Sequence, residues 1–444
     1  MRIIIAGDGE TGQHIARILS IENQDIVLIG SDRERLSELD AEYNFITCEG
    51  NPVSVDTLME CGADRADLFV GVTPEETVNI VAAQMAKSCG ARKCVARVDN
   101  PEMCEGRSAR LLHEYGIDMT LYPEKLAANE IKRFIANNWV SKFFELHGGK
   151  LLSLGVLIRE GSELCGKQLR DIPNNPRLFH VSAIQRGDDI IIPRGEDSIK
   201  PGDTVYFCVL PEDKQAVARL CGKDQAPVRK IMITGAGRVT ENLLEILPPK
   251  ISVTVLDPDR SRCNVIASRF PRAVVVNATS NDVSALKEEG IDACDMFLGL
   301  TGSSERNIVS CMVAREHNVP RTLARIEEMQ YAPEAESLAI DKIINKKQLN
   351  AGKVINVLLG MDTSVPRCLS LDKAEIIEMV AAEGSKITSK PVYQLGLPRE
   401  LTIGGLIRDD RGMLVDGQTR IMAGDHVLVF CLAGSLTRVE RLFR

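Results

Sequence analysis

Short apolar runs alternate with stretches of helical spacing over the first 138 residues. Four of these runs are rich in β-branched and other apolar residues, as buried strands are: RIIIA (2–6), DIVLIG (25–30), LFVGVT (68–73) and CVARVD (94–99). Between them apolar residues recur at intervals of three and four, as in HIARILSI, which predicts helices. This alternation predicts an α/β domain with a doubly wound parallel sheet.

The pattern changes at about Leu151. Short runs separated by glycine and aspartate turns predict an antiparallel sheet: LLSLGVLI, HVSAIQRG, DDIIIPRG and GDTVYFCVL. A helix-like stretch, EDKQAVARL, follows them. Residues 139–225 are therefore predicted to form a small α+β module.

Both patterns then occur a second time. KIMITGAGR (230–238) repeats RIIIAGDGE at an offset of 228 residues, and the same offset brings DLFVGVT onto DMFLGLT. The small module repeats at an offset of 222, with IPRGEDSIKPGD aligned to LVDGQTRIMAGD. A constant offset over several segments indicates a duplication. The predicted fold is α/β, with two Rossmann-like doubly wound parallel-sheet domains, each followed by a small α+β domain, and the predicted domains are 1–138, 139–225, 226–362 and 363–444.

Glycines at GxGxxG spacing follow the first strand, at Gly7, Gly9 and Gly12. Between a buried strand and a helix, such glycines allow a tight turn, the approach of a pyrophosphate and close packing of helix on strand. The free amides of the helix start then favour phosphate. Nucleotide binding is favoured over the alternative, an ordinary structural turn.

A dinucleotide fold also needs an acidic residue at the end of its second strand, which accepts hydrogen bonds from the ribose hydroxyls. The second repeat has Asp257 there, twenty residues after Gly237, but Thr240 replaces its third glycine. The first repeat keeps three glycines but has Gly30 at the strand end, with Asp32 two residues later. Each repeat therefore departs from the motif at one position.

The strand end of the first repeat allows a second interpretation. Gly30, Ser31 and Arg33 resemble a pocket that tolerates a 2′-phosphate or a different nucleotide. The alternative for Arg33 is a solvated charge at a helix start.

Two further pairs of residues align between the repeats and fall at strand ends. Thr73 and Thr301 either contact a nucleotide or cap the next helix. Arg97 and Arg325 lie among small and apolar residues, so each guanidinium needs a phosphate or a neighbouring carboxylate as partner.

Composition and motifs exclude several classes of protein. A net charge of −8 argues against a nucleic-acid or anionic-membrane binder. The thirteen cysteines form no CxxC pair, which favours buried thiols in a reducing cytoplasm over disulfides or a metal site. No signal peptide and no apolar run of about 18 residues are evident. The histidines are isolated and no catalytic motif is present, so no catalytic residue is predicted.

Several motifs together resemble the family of the Trk system potassium uptake protein A. The motifs that carry the resemblance are GDGETG (7–12), EGNP (49–52), ADLFVGVT (66–73), NIVAAQMAK (79–87), ARVDNPE (96–102), YPEKLAA (122–128), ITGAGRV (233–239), LDPD (256–259), NATS (277–280) and the PGD and AGD turns of the small modules. They cover essentially the whole chain. The family consists of two tandem pairs of an RCK/KTN nucleotide-binding domain and a C-terminal companion domain.

The resemblance implies a gating subunit rather than an enzyme. Its ligand would be NAD(H), with ATP or ADP as the alternative. It would form a homo-oligomer, a dimer or tetramer ring, on the cytoplasmic face of a membrane-embedded potassium-translocating subunit. The nucleotide contacts that the resemblance implies are Gly7, Asp8, Gly9, Glu10, Thr11, Gly12, Asp32, Thr73 and Arg97 in the first repeat, and Gly235, Ala236, Gly237, Asp257, Thr301 and Arg325 in the second.

Two other functions stay open. An NAD(P)-dependent oxidoreductase would also carry duplicated Rossmann domains, but it needs an acid or base beside the nicotinamide. A nucleotide-sensing regulator of a different cation channel or antiporter would share every feature described above.

Overall fold

The structure is a computed structural model that describes the chain apart from residues 22–23, 44, 173–176, 188, 224–226, 280–281, 329–330, 332–337, 339, 360–366, 372–373, 433–434 and 444. It divides into two units, one of residues 1–135 and 228–358 and the other of residues 136–227 and 359–444. The first unit holds both α/β domains and the second holds both small modules. The predicted boundaries at 225/226 and 362/363 lie outside the described residues, and the boundary at 138/139 stays a prediction.

The apolar runs of the first α/β domain form a parallel sheet. Its described strands are β1 (Arg2–Ala6), β2 (Asp25–Gly30), β3 (Ile46–Glu49), β4 (Leu68–Gly71), β5 (Lys93–Arg97) and β6 (Met119–Leu121). Its helices are α1 (Glu10–Ile21), α2 (Arg33–Glu42), α3 (Val55–Glu60), α4 (Glu76–Cys89), α5 (Gly106–Glu114) and α6 (Pro123–Ala136). The strand order β3-β2-β1-β4-β5-β6 is the doubly wound order. Helices cover both faces, which explains why Ile3, Ile4 and Ile5 are all fully buried.

The second α/β domain has the same order, β14-β13-β12-β15-β16-β17. Its described strands are β12 (Lys230–Thr234), β13 (Ser252–Leu256), β14 (Val274–Val276), β15 (Met296–Gly299), β16 (Thr322–Arg325) and β17 (Lys342–Ile344). Its helices are α8 (Arg238–Ile246), α9 (Arg260–Arg269), α10 (Val283–Glu288), α11 (Ser304–Glu316) and α12 (Lys346–Leu359). The duplication that the sequence predicts is therefore a duplication of the whole fold.

The small modules are antiparallel sheets, each with one helix among the described residues. The first comprises β7 (Lys142–Leu146), β8 (Leu151–Leu157), β9 (His180–Arg186), β10 (Asp189–Ile191), β11 (Thr204–Val209) and α7 (Lys214–Leu220). The second comprises β18 (Arg367–Leu371), β19 (Ala374–Val380), β20 (Leu401–Arg408), β21 (Arg411–Leu414), β22 (His426–Leu432) and α13 (Leu436–Phe443). The predicted fold class is confirmed for all four domains.

An ion pair with a buried carboxylate repeats in the two modules at the offset of 222. The guanidinium of Arg186 donates from Nε and Nη2 to the Asp203 carboxylate at 2.8 and 2.7 Å, and Arg408 donates likewise to Asp425 at 2.8 and 2.6 Å. Burial alone would raise the pKa of Asp203, but the hydrogen bonds from Arg186 hold that pKa below its ordinary value. These aspartates end the PGD and AGD turns, which explains why the turns align.

The two modules pack on one another within the second unit. One apolar cluster combines Leu151, Tyr206 and Cys208 of the first module with Ile376 and Phe430 of the second. Neither sheet therefore exposes this face to water, and the modules form a pair within one chain.

Helix α6 joins the two α/β domains of the first unit. Its apolar face belongs to the core of the second domain, and the residues that form this face are Ala127, Ala128, Ile131, Phe134 and Ile135. Their spacing gives one stripe of a helix. The second domain therefore completes its core with a helix of the first.

The described ion pairs between the two α/β domains all have one polarity. Glu124 Oε1 lies 3.1 Å from Lys346 Nζ, and Glu130 Oε1 lies 2.9 Å from Lys342 Nζ. Glu10 in turn pairs with Lys347. In each pair the first domain supplies the carboxylate and the second supplies the ammonium group. The sheet register aligns Leu121 with Ile344, so Glu124 of the first domain is the counterpart of Lys347 in the second. If a first domain made the same contact with another first domain, Glu10 would therefore face Glu124 instead of Lys347, and two carboxylates would lie opposite each other. The charges thus favour pairing of unlike domains.

The most buried of these pairs gives a test. Glu124→Lys is expected to lower the thermal unfolding midpoint by several degrees, because breaking a largely buried pair costs about 3 kcal/mol. Adding Lys346→Glu to the same chain restores opposite charges and is expected to recover most of the loss. Differential scanning calorimetry measures both variants.

Glu102→Lys is the matched control, because it makes the same change of charge at an exposed position. If the doubly reversed chain were no more stable than Glu124→Lys alone, the pairing of opposite charges at this contact would have no energetic role.

Candidate functional site

The carboxyl ends of parallel strands share one edge of each sheet, and open α/β sheets bind ligands at that edge. In the first domain the edge carries the first glycine loop (residues 7–12) after β1, Asp32 after β2, Thr73 after β4 and Arg97 at the end of β5. These four strands are neighbours, in the order β2-β1-β4-β5. The second domain has the equivalent edge, and its predicted residues there are Gly235, Ala236, Gly237, Asp257, Thr301 and Arg325. The structure therefore brings the predicted residues of each repeat together on one sheet edge.

The first glycine of each loop is required by the fold. Gly7 and Gly235 have φ angles of +126° and +105°, which disfavour any residue with a Cβ. A Cβ on Gly7 would also lie 2.9 Å from the backbone nitrogen of Thr73. The glycine loop is thus packed directly on the end of β4.

The second glycine of each loop leaves open space. A Cβ built on Gly9 or on Gly237 meets no atom within 4 Å. Neither glycine is needed to avoid a contact within the protein. The space beside each loop is free for a ligand to approach the backbone.

The third position differs between the repeats. A Cβ on Gly12 would lie 1.8 Å from the Gly7 carbonyl oxygen, so helix α1 and the loop touch. At the equivalent position the buried Thr240 donates a hydrogen bond from its hydroxyl to the Gly235 carbonyl oxygen at 2.5 Å. Helix α8 still begins at Arg238, the counterpart of Glu10. A hydrogen bond thus replaces the close contact that glycine allows.

Glu10 and Thr11 are the first two residues of helix α1. The Glu10 carboxylate pairs with Lys347 of the second domain, and Thr11 is half-buried. Two residues further on, the side-chain amide of Gln13 donates to the Asp8 carbonyl oxygen at 2.8 Å. The start of α1 is thereby linked both to the loop and to the second domain.

The strand-end acid is buried in the second domain. Asp257 accepts a hydrogen bond from the Ala236 amide at 2.7 Å and one from the Asp259 amide at 2.8 Å. Asp259, not Asp257, caps helix α9 by accepting from the amides of Ser261 and Arg262. This carboxylate therefore connects the strand end to the glycine loop.

The first domain has the same connection in the opposite direction. Asp8 of the glycine loop accepts hydrogen bonds from the amides of Ser31 and Asp32 at 3.1 and 3.0 Å. Asp32 itself caps helix α2 by accepting from the Arg35 amide at 3.1 Å, as Asp259 caps α9. The structure shows the Asp32 carboxylate as a helix cap. Its predicted contact with ribose stays a prediction.

Two buried asparagines hold the carboxyl edges together, whereas the sequence alone indicates no more than a capping role at a helix start for the first of them. Asn79 accepts from both the amide and the hydroxyl of Thr73 at 2.7 Å, and its own amide donates to the carbonyl oxygens of Thr73 and Arg97 at 3.0 and 3.1 Å. Asn307 makes the same four bonds to Thr301 and Arg325. Their alignment at the 228-residue offset was the available signal.

Thr73 and Thr301 consequently serve the scaffold in this structure. Each hydroxyl also accepts from an amide at the start of the next helix, that of Glu75 or of Ser303, at 3.3 Å. Nucleotide contact by these threonines stays a prediction.

Arg97 and Arg325 each pair with a carboxylate two residues further on. Arg97 Nη2 lies 3.2 Å from Asp99, and Arg325 pairs with Glu327. In both arginines, however, Nε is buried and has no hydrogen-bond partner among the described residues. Each guanidinium therefore has one unsatisfied donor at the sheet edge.

The second unit contains a cavity of about 610 Å³ between its two modules. Arg170, Arg194 and Asp416 contribute charged groups to its lining, together with His180. Burial, with the neighbouring Arg194, lowers the pKa of His180 to about 4. At neutral pH the imidazole is uncharged and lies 3.3 Å from the hydroxyl of Thr402.

The described residues offer little for covalent or metal chemistry. Burial raises the pKa of Cys94, Cys208 and Cys311 to about 12, so these thiols are not nucleophiles. No group of three or more His, Cys, Asp and Glu side chains with the geometry of a metal site occurs in the described part of the chain. Among the helices of that part, none is long and apolar enough to cross a bilayer.

Comparison with known proteins matches the two kinds of domain in tandem. The TrkA-N domain family matches residues 3–123 and 231–346, and the TrkA-C domain family matches residues 154–222 and 376–444. A solved structure of the GsuK RCK domain superposes with a TM-score of 0.62 at 15% identity, covering 100% of this chain and 94% of that one. This likeness concerns the fold.

Full-length relatives have the same extent as this chain. Trk system potassium uptake protein TrkA homolog 2 of Methanosarcina mazei is 29% identical, and the alignment covers 100% of both chains. Trk system potassium uptake protein TrkA of Halomonas elongata is also 29% identical, with 100% of this chain and 99% of that protein covered. Because the TrkA-N matches span more than half of the sequence and a TrkA-C match follows each of them, this chain belongs to the TrkA family.

Proposed function

We propose that this chain is the nucleotide-binding regulatory subunit of a Trk-type potassium uptake system. The observation that carries the proposal is the same in both repeats: an open glycine loop lies on a sheet edge that also holds an arginine with an unpaired buried Nε. Membership of the TrkA family and the names of its full-length relatives support potassium uptake as the regulated process.

The residues of each edge fit a nucleotide. The open space at Gly9 and Gly237 admits a pyrophosphate, whose charge suits the free amides at the starts of helices α1 and α8. Arg97 and Arg325 each retain a donor for an anionic oxygen. NAD(H) is the proposed ligand and ATP or ADP is the alternative, since GsuK channels are known both bound to NAD and bound to ADP.

Regulation requires that the nucleotide prefer one arrangement of the domains. A ligand with equal affinity for two arrangements shifts neither. In this chain the first glycine loop runs directly into Glu10, which pairs with Lys347 of the other domain. Nucleotide binding at the loop would therefore alter the contact between the two α/β domains. In a homo-oligomeric ring on the cytoplasmic face of the potassium-translocating subunit, this change would alter how the subunits of the ring are arranged.

An oxidoreductase is the weaker alternative. The edges described above hold carboxylates engaged with backbone amides and arginines paired with carboxylates. The buried thiols of Cys94 and Cys311 have pKa values raised to about 12. A hydride-transfer enzyme needs an acid or base free to exchange a proton with its substrate, and these groups do not provide one.

Each loop can be tested by filling its open space. Gly9→Trp is expected to remove one of two NADH-binding events, and Gly237→Trp the other, because the indole occupies the space that a pyrophosphate needs. Isothermal titration calorimetry of the full-length variants with NADH measures the stoichiometry.

Gly352→Trp is the control, because Gly352 is exposed, lies on helix α12 and also has no atom within 4 Å of a built Cβ. Full stoichiometry in both loop variants would refute the proposed sites.

The regulatory role needs a transport measurement. When the membrane subunit and this chain are reconstituted together in vesicles, NADH is expected to change the rate of potassium flux, since binding shifts the gating equilibrium. The chain with both Gly9→Trp and Gly237→Trp is expected to be insensitive to NADH. Steady consumption of NADH by the purified chain with a metabolite would instead favour the oxidoreductase.

A further inference from the structure

We propose that Asp8 acts as the ribose-binding acid of the first α/β domain and selects a nucleotide whose ribose carries no 2′-phosphate. The inference rests on the proposed nucleotide site and specifies which nucleotide that site takes. It also explains how a domain with Gly30 at its strand end keeps the acidic group that the fold requires.

The position of the acid follows from sheet register. Ala6 of β1 pairs with Ile29, and Thr234 of β12 pairs with Leu256. Gly30 is therefore the structural counterpart of Asp257, the next residue after Leu256. In sequence terms the first domain lacks an acid at this place.

In space, a carboxylate occupies that place. A Cβ built on Gly30 would lie 2.5 Å from both Cβ and Oδ2 of Asp8. The side chain of Asp8 thus fills the volume in which a side chain on residue 30 would begin. Asp8 is itself the counterpart of Ala236, so the small residue and the aspartate have exchanged positions between the two repeats.

The exchange keeps the same bridge. In the second domain Asp257 reaches from the strand end to the amide of Ala236 in the loop, at 2.7 Å. In the first domain Asp8 reaches from the loop to the amides of Ser31 and Asp32 at the strand end. If both positions carried an aspartate, the two side chains would overlap and their charges would repel each other. If neither position carried one, the backbone amides that the aspartate now accepts from would lose their acceptor.

The same bridge excludes a 2′-phosphate. The amides of Ser31 and Asp32 are the donors that a phosphate at this strand end would use, but Asp8 Oδ2 already accepts from both. A dianionic phosphate would have to displace a carboxylate and lie beside it. A ribose diol, by contrast, can donate to Asp8 Oδ1, which has no hydrogen bond among the described residues.

Two exposed arginines lie near this strand end, and each has a carboxylate beside it. Arg33 Nε lies 3.8 Å from Glu49, and Arg35 Nη2 lies 3.7 Å from Asp32. These carboxylates add negative charge to that of Asp8 where a 2′-phosphate would lie, which favours a ribose diol over the interpretation of Gly30, Ser31 and Arg33 as a pocket for a 2′-phosphate.

The test compares NADH and NADPH at the first site, by calorimetry of the full chain carrying Gly237→Trp to silence the second site. With Asp8 intact, NADH is expected to bind at least about tenfold more tightly than NADPH, because the phosphate meets a fixed carboxylate. Asp8→Ser removes this carboxylate and frees both amides, and is expected to bring the two affinities within about threefold of each other.

Two further variants separate the role of Asp8 from a loss of fold. Asp8→Ala combined with Gly30→Asp rebuilds the arrangement of the second domain and is expected to restore the preference for NADH. Asp40→Ser removes the same charge at an exposed position on helix α2, away from the predicted nucleotide contacts, and is expected to leave the preference unchanged.

The outcomes distinguish this inference from the proposed function. Equal affinity for NADH and NADPH with Asp8 intact would overturn the inference and leave the nucleotide site standing, as would a preference that Asp8→Ser does not change. A first site that binds none of NADH, NADPH, ATP and ADP would overturn both.

Discussion

Burial of the apolar face of helix α6 is the contact on which the arrangement of the first unit depends. Ile131 and Phe134 belong to one repeat but share a core with Leu243 and Leu298 of the other. Burial of each side chain of this size contributes about 2 kcal/mol, so separating the two domains would expose the apolar face of α6 at a free-energy cost many times the thermal energy. The two domains are consequently one structural unit. A conformational change at the sheet edge of one domain therefore occurs in the unit that also contains the sheet edge of the other. The ion pairs of uniform polarity then specify which domain the helix meets, since electrostatics adds selectivity to a contact whose strength is hydrophobic.

A second constraint acts inside each domain. A carboxyl edge built from separate strand ends would place its loops independently, but Asn79 and Asn307 join the end of one strand to the end of the next by four hydrogen bonds each. Because these amides are buried, loss of any partner would leave a polar group unsatisfied. The asparagines donate to the backbone carbonyl oxygens of Arg97 and Arg325 and so fix the backbone positions of both arginines. The backbone at these positions is therefore already ordered without a ligand.

Local patterns were sufficient to predict the fold but not the details of the sites. The apolar run at 25–30 predicted strand β2 with its observed bounds, and the constant offset predicted the duplication. Strands β3 and β6 were not predicted, because both are short and the β3 strand ITCE has no fully buried residue. The crossing of α6 into the second domain and the exchange of Asp8 with Gly30 were also missed. Both depend on contacts between residues that are twenty or more positions apart in the sequence. Hydrophobic periodicity is a local pattern and does not predict such contacts. Asp32 adds a third case: its distance from the glycines predicts a ribose contact, which stays a prediction, while its helix-capping hydrogen bond is visible only in the structure.

Duplication within one chain lets the two sites diverge, which identical subunits cannot do. The first loop has Gly12, an acid on the loop and Glu10 at its helix start; the second has Thr240, an acid on the strand and Arg238 at the equivalent position. At the proposed sites, a substitution of this kind would act first on the nucleotide affinity of its own site, because it touches only its own loop and strand end. The link between the sites is nevertheless shared, since α6 and the pair of Glu10 with Lys347 span both domains. Coupling between two binding sites is reciprocal. Under the proposed function, two unlike sites on one shared core would therefore respond to two ranges of nucleotide concentration, and each response would alter the affinity with which the other site binds.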